Sequence, residues 1–178
     1  MSDLEEQKPG VSRRTVAQAM AWSVPAVALA VPAPAFAASP GVITLTGAGC
    51  KLPGNSSPVF KGYAFRATIT NTTNAAINVT ITDVTLGGED LGNVSVIRLS
   101  PCANLGTNTF VVPANTTMDV ALVTQNAASS ENGTLLVSYT VDGAPDQAVA
   151  TAAGLPPIQG ASCTAFTSAE ATCITGAV

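Results

Sequence analysis

The sequence predicts an all-β domain, an antiparallel β-sandwich of about seven to eight strands. Three observations carry the prediction. Apolar residues alternate with Thr, Asn and Ser over short runs, the period of a half-buried strand. Turn-forming clusters of Gly, Pro, Asn and Asp recur every ten residues or so, a spacing typical of sandwiches. No stretch after residue 37 carries a convincing amphipathic helical pattern.

In chain order, Gly41–Thr46 is a short strand with Ile43 and Leu45 on one face. Gly47–Pro58 reads as a loop that contains Cys50. Gly62–Asn71 is the clearest strand, with Tyr63, Phe65, Ala67 and Ile69 against Arg66, Thr68 and Thr70. Ala76–Leu86 follows, with Ile77, Val79 and Ile81 inward. Its parity then changes at Asp83, which predicts a bulge or bend there. Gly87–Asp90 is a turn, Val94–Leu99 a strand, and Ser100–Gly106 a loop holding Pro101 and Cys102. Thr109–Val112 is an edge-like strand stopped by Pro113. Met118–Thr124 places Met118, Val120 and Leu122 inward. Gln125–Gly133 is a solvent loop. Thr134–Asp142 has Leu135, Val137, Tyr139 and Val141 on one face, and Gln147–Ala153 is its return strand. Leu155-Pro156-Pro157 marks the end of the packed domain. Residues 155–178 form a tail in which Thr167–Thr172 makes one helical turn.

Ahead of this domain, residues 1–37 have the form of an export signal peptide. Arg13 and Arg14 supply positive charge, Val16–Val31 is uncharged and rich in Ala, Val and Leu, and Ala35-Phe36-Ala37 puts a small residue at both positions that a signal peptidase reads. Cleavage after Ala37 leaves Ala38 as the new N-terminus, and residues 38–154 as the sandwich. A membrane-spanning helix needs about 20 apolar residues; Val16–Val31 is shorter, and Pro25, Pro32 and Pro34 interrupt helix hydrogen bonding in and after it.

Ser12-Arg13-Arg14-Thr15-Val16 resembles the twin-arginine export motif at the Ser and both Arg. It departs from that motif at Val16, Ala17 and Gln18, where the family prefers Phe, Leu and Lys. The SRRT start and AWSVP core are similar to leaders of secreted actinobacterial proteins. The resemblance implies the twin-arginine translocase and a signal peptidase as partners during export. The strand order, with NTT, PANTT and ENGT at the turns and a late LLVSYTVDG strand, resembles bacterial immunoglobulin-like surface domains over residues 42–153. That family implies an extracellular binding, adhesive or spacer role, with a protein or glycan partner. The Cys-Trp-Cys spacing of antibody domains is absent, since the sole Trp is Trp22 in the leader.

Composition bounds the chemistry. After residue 37 the basic residues are Lys51, Lys61, Arg66 and Arg98, scattered among eight acids. Nucleic acid and anionic membranes need clustered Lys and Arg, so neither is an expected partner. The chain has no His, which removes Ser-His-Asp and Cys-His catalysis. No cofactor is expected. The remaining catalytic candidates are Asp83, Glu89, Asp90 and Asp119 as paired carboxylates, and no spacing joins two of them. The expectation is a protein that is not an enzyme. Glu89-Asp90 lacks the alternating acidic ligands of a dedicated calcium loop and reads as a solvated turn. No metal site is expected.

Cys50, Cys102, Cys163 and Cys173 form an even set in an exported domain, which implies disulfides. Zinc is disfavoured by the lack of any CxxC pair and any His. Of three connectivities, Cys50–Cys102 with Cys163–Cys173 is the expected one, because the second pair closes a short local loop. Asn55, Asn71, Asn78, Asn93, Asn115 and Asn132 each begin an Asn-x-Ser/Thr triplet, read here as Asn- and Thr-rich turns. Two alternatives to a surface binding or structural protein are a filament or layer subunit pairing through strand edges and a carbohydrate-binding domain. The second needs exposed aromatics, and Phe60, Tyr63, Phe65, Phe110, Tyr139 and Phe166 sit mostly at core-parity positions.

Overall fold

The computed structural model describes residues 41–54 and 59–178. Ten strands and one helix run in the order β1 (Ile43–Lys51), β2 (Tyr63–Asn71), β3 (Ile77–Leu86), β4 (Glu89–Asp90), β5 (Val94–Leu99), β6 (Cys102–Thr107), β7 (Thr109–Val112), β8 (Thr116–Thr124), β9 (Gly133–Val141), β10 (Ala144–Ala152) and α1 (Ser168–Ala177). One sheet, sheet A, has the order β1-β2-β8-β5-β6; the other, sheet B, has β10-β9-β3-β4, with β7 also on β3. Every pairing between these strands is antiparallel. The order β1-β2-β8-β5 against β10-β9-β3 is the A-B-E-D against G-F-C arrangement of an immunoglobulin-type sandwich.

The main core lies between the sheets and is built from the alternating faces. Tyr63, Phe65, Ala67 and Ile69 of β2 and Val120 and Leu122 of β8 meet Val79, Ile81, Val84 and Leu86 of β3 and Leu135, Val137 and Tyr139 of β9. The parity change at Asp83 is a bulge: the β3–β9 register slips between Ile81 and Asp83. The slip keeps Val84 and Leu86 in the core while Asp83 turns outward. The strand stays in sheet B on both sides of it.

Four segments differ from the sequence reading. The expected loop from Gly47 is strand as far as Lys51, because β1 absorbs its glycines in a register shift between Leu45 and Gly49. Gly47 has φ 78°, and a Cβ there would collide with the Thr151 carbonyl of β10. It marks a close backbone approach rather than a chain break. The expected loop Ser100–Gly106 is mostly β6, an edge strand paired with β5 and irregular between Val96 and Ile97. Glu89-Asp90 pairs back on Leu86-Thr85 as β4 beyond the Gly87-Gly88 turn.

The fourth difference is the largest. The packed domain does not end at Pro156-Pro157. Leu155, Ile158, Phe166 and Ile174 are buried, and residues 158–178 form a third layer on the outer face of sheet A. There they cover Leu52, Ala64, Ile97, Leu99, Ala121 and Val123. The layer starts where Lys51 N–H donates to Pro156 O at 2.8 Å and Ile158 N–H to Lys51 O at 2.9 Å. It ends in the ten-residue α1, longer than the expected single turn. Thr167 caps α1, and Glu170 reaches back to the Thr167 N–H in a full capping box.

Candidate functional site

Two places bring chemically distinctive side chains together: the seam between sheet A and the C-terminal layer, and a cleft on the edge of sheet B.

At the seam, Arg66 projects outward from β2 because its neighbours Phe65 and Ala67 face the main core. Its guanidinium donates to both Glu170 oxygens, at 3.1 and 2.9 Å, and to Ala165 O at 3.1 Å. It also reaches Asp119 at 3.3 Å and lies 5.8 Å from the centroid of the Phe166 ring. The bidentate hydrogen bonds to Arg66 hold the Glu170 carboxyl below its ordinary pKa, and the same bonds raise that of Arg66. One arginine thus ties the start of α1, the chain before it and β8 to β2.

The cysteines belong to this seam. Cys50 of β1 bonds Cys163, and Cys102 of β6 bonds Cys173 of α1. The expected pairs, Cys50–Cys102 and Cys163–Cys173, do not form. The short spacing of Cys163 and Cys173 favours a local loop in a free chain. In the fold, however, α1 carries Cys173 to β6 while the segment after Pro157 carries Cys163 to β1. Both bonds run from sheet A to the C-terminal layer, and none joins the two sandwich sheets.

The cleft opens where β3 bulges, in the gap that β4 and β7 leave along the edge of sheet B. It has a volume of about 210 Å³ and is lined by Ile81, Thr82, Asp83, Asp90, Gly92, Asn93, Asn108 and Gln125. Asn108, in the left-handed region at φ 59°, accepts from Val94 N–H at 2.7 Å and donates to Asn93 Oδ1 at 2.9 Å. Asp90 accepts from Gly92 N–H at 2.7 Å, and Gln125 Oε1 accepts from Asn93 N–H at 3.3 Å. The cleft therefore offers carboxylates and fixed amides, groups that hydrogen-bond a small polar ligand. The fold brings Asp83 and Asp90 to one cleft, which spacing did not reveal. Asp119 lies apart, on sheet A, held by Arg66 and Thr68. Glu89 is engaged by the Ser129 amide and hydroxyl, and those bonds lower its pKa. Among the described residues no three Cys, Asp or Glu side chains group as metal ligands.

Of the aromatic candidates, Tyr63, Phe65, Phe110, Phe166 and Tyr139 are buried. Tyr139 OH donates to Asp146 at 2.8 Å and accepts from Ile43 N–H at 3.3 Å. Burial pushes its pKa up to about 12, and burial likewise raises that of Tyr63. Arg13, Arg14, Ala35, Ala37 and Ala38 lie outside the described residues.

No protein-family model matches the chain, and no curated protein matches it. Among solved structures it is similar to a family 123 glycoside hydrolase from Clostridium perfringens, described for glycolipid glycan hydrolysis. The identity is 11%, over 55% of this chain and 22% of that chain, with a TM-score of 0.26. A likeness at that level carries no functional weight.

Proposed function

We propose that the chain is an exported, non-enzymatic β-sandwich that works at or outside the cell surface, by binding a partner or as a structural part. The observation that carries this reading is the cysteine arrangement. All four cysteines form disulfides, with none free, and such bonds persist in oxidising compartments. The leader-like residues 1–37 and the twin-arginine resemblance at Arg13 and Arg14 support the same reading, as does the absence of His from the chain.

The decisive experiment is fractionation of producing cells with non-reducing mass spectrometry of the product. The expected species lies outside the cytoplasmic membrane, begins at Ala38 and carries Cys50–Cys163 and Cys102–Cys173. A full-length, reduced, cytoplasmic protein would overturn the proposal. Replacing Arg13 and Arg14 together by Lys is expected to leave the precursor inside the cell; normal secretion of that variant would assign export to the general route.

A second reading, a subunit of a surface filament or layer, is favoured by one feature. Val111 and Val149, at 56% and 59% exposure, both lie on sheet B, whose outer face the C-terminal layer leaves open. Light scattering across a concentration series tests it, and a strict monomer throughout counts against it.

A further inference from the structure

We propose that the C-terminal segment docks on sheet A before its cysteines oxidise, and that docking rather than proximity along the chain selects the disulfide pairs.

The native bonds link residues 113 and 71 positions apart. The competing Cys163–Cys173 pair is separated by 173 − 163 = 10 positions. Closing a flexible loop becomes harder as roughly the 3/2 power of its length, so an unfolded chain favours the local pair by about 20- to 40-fold over either native one. Something must reverse that preference, and the structure places a non-covalent contact beside each bond. Next to Cys50, Lys51 pairs with Pro156 and Ile158 through two backbone hydrogen bonds, which brings the segment leading to Cys163 onto β1. Near Cys102, the Asn104 side chain donates to Ala177 O at 2.9 Å and holds the end of α1 against β6.

Between these ends, Arg66 grips Glu170 and Ala165, and Ile174 is fully buried. This contact set joins the layers without any sulfur. The sandwich core between the sheets contains no cysteine either, so its assembly needs no oxidant. Cys163 and Cys173 are then held at different strands, β1 and β6, and the local pair is out of reach.

Each bond forms by thiol–disulfide exchange with a small organic disulfide. One protein thiolate attacks the reagent and expels half of it as a thiolate; the second protein thiolate then displaces the other half. Two protein thiols become one disulfide, and one reagent disulfide becomes two thiols.

The test uses the mature chain, oxidised by glutathione disulfide and mapped by mass spectrometry. Oxidised after folding in its reduced form, it is expected to give Cys50–Cys163 and Cys102–Cys173. Oxidised in concentrated guanidinium, it is expected to give mainly Cys163–Cys173. Native pairs as the major product in denaturant would overturn the proposal. So would an unfolded C50S/C102S/C163S/C173S variant, since docking would then depend on the bonds. Glu170→Gln weakens docking without touching a cysteine, and is expected to raise the Cys163–Cys173 fraction several-fold under native conditions. An unchanged product distribution in that variant, with docking weakened, would overturn the proposal.

Discussion

Sheets A and B have similar strands and different surroundings. Sheet B buries one face, and its outer face meets water through Thr80, Thr85, Ser138, Thr140 and Val149. Sheet A buries its inner face against sheet B and much of its outer face under residues 158–178. The difference is written in the strands. β3 and β9 alternate, as a half-exposed sheet demands. β5 and β8 contain the runs Val94-Ser95-Val96-Ile97 and Val120-Ala121-Leu122-Val123, every member of which is buried. A continuous buried run in an antiparallel sheet therefore signals a second cover, and here the cover is the chain's own C-terminal segment.

The largest contrast is expected from placing one charge on each outer face. Val123→Asp buries an unpaired carboxylate beneath the C-terminal layer and should cost about 3–5 kcal/mol. Val149→Asp, on the open face of sheet B, should stay within about 0.5 kcal/mol. Urea unfolding of the two variants measures both, and equal losses would break the distinction between the sheets.

A smaller effect is expected from the seam itself. Glu170→Gln removes charge-assisted hydrogen bonds to Arg66 and should cost about 1.5–3 kcal/mol. The pH dependence has a definite sign. Because Arg66 depresses the Glu170 pKa in the folded state, its contribution is complete above the ordinary carboxylate range and is lost as pH falls through the folded value. Limited proteolysis of residues 158–178 along an acid titration should show the wild-type tail loosening, with a flatter response in Glu170→Gln.

The smallest effect sharpens the sheet B side. Tyr139→Phe removes the hydroxyl between Ile43 and Asp146 and should cost about 0.5–1.5 kcal/mol near neutral pH. The folded Tyr139 pKa is raised to about 12. Its favourable contribution is therefore full below the ordinary tyrosine value and lost as pH rises from there through about 12. Thermal melts across that window should show a shallower alkaline decline for the Phe variant.

The sandwich was legible because its inter-sheet core rests on alternation. Tyr63 to Ile69, Val79 to Leu86 and Leu135 to Tyr139 point where their parity says, and even the Asp83 bulge showed as a parity change. The two added strands were not legible. β6 is an edge segment, Cys-Ala-Asn-Leu-Gly-Thr, whose pairing is set by β5 rather than by its own pattern. β4 is two residues folded back by Gly87-Gly88.

The C-terminal layer was concealed differently. Its helix is mostly Ala, Thr and Ser around one fully buried residue, Ile174, so no apolar stripe stands out. The usable signals were the Thr167–Glu170 capping pair and the unbroken apolar run in β8. The edge cleft was illegible for a third reason: residues from 81 to 125 meet there only because β3 bulges between β4 and β7. The disulfide pairing failed with the tail, since chain spacing measures proximity only before the chain has folded.

Asn71 shows what a polar side chain can do at a corner. Its amide nitrogen donates to Ala75 O, Val112 O and Pro113 O, at 2.9, 3.1 and 2.9 Å, while its oxygen accepts from the Thr73 amide and hydroxyl. It is 2% exposed. The Asn-Thr-Thr triplet it begins has the sequence of a sugar acceptor, yet its nitrogen already fastens the β2–β3 turn to the β7–β8 connection. A glycosyltransferase meeting the finished domain would have to pry open that corner to reach it. Asn115, on an exposed turn, keeps its amide at the surface. Identical acceptor triplets in one chain are therefore unequal substrates, and the corner clasp makes them so.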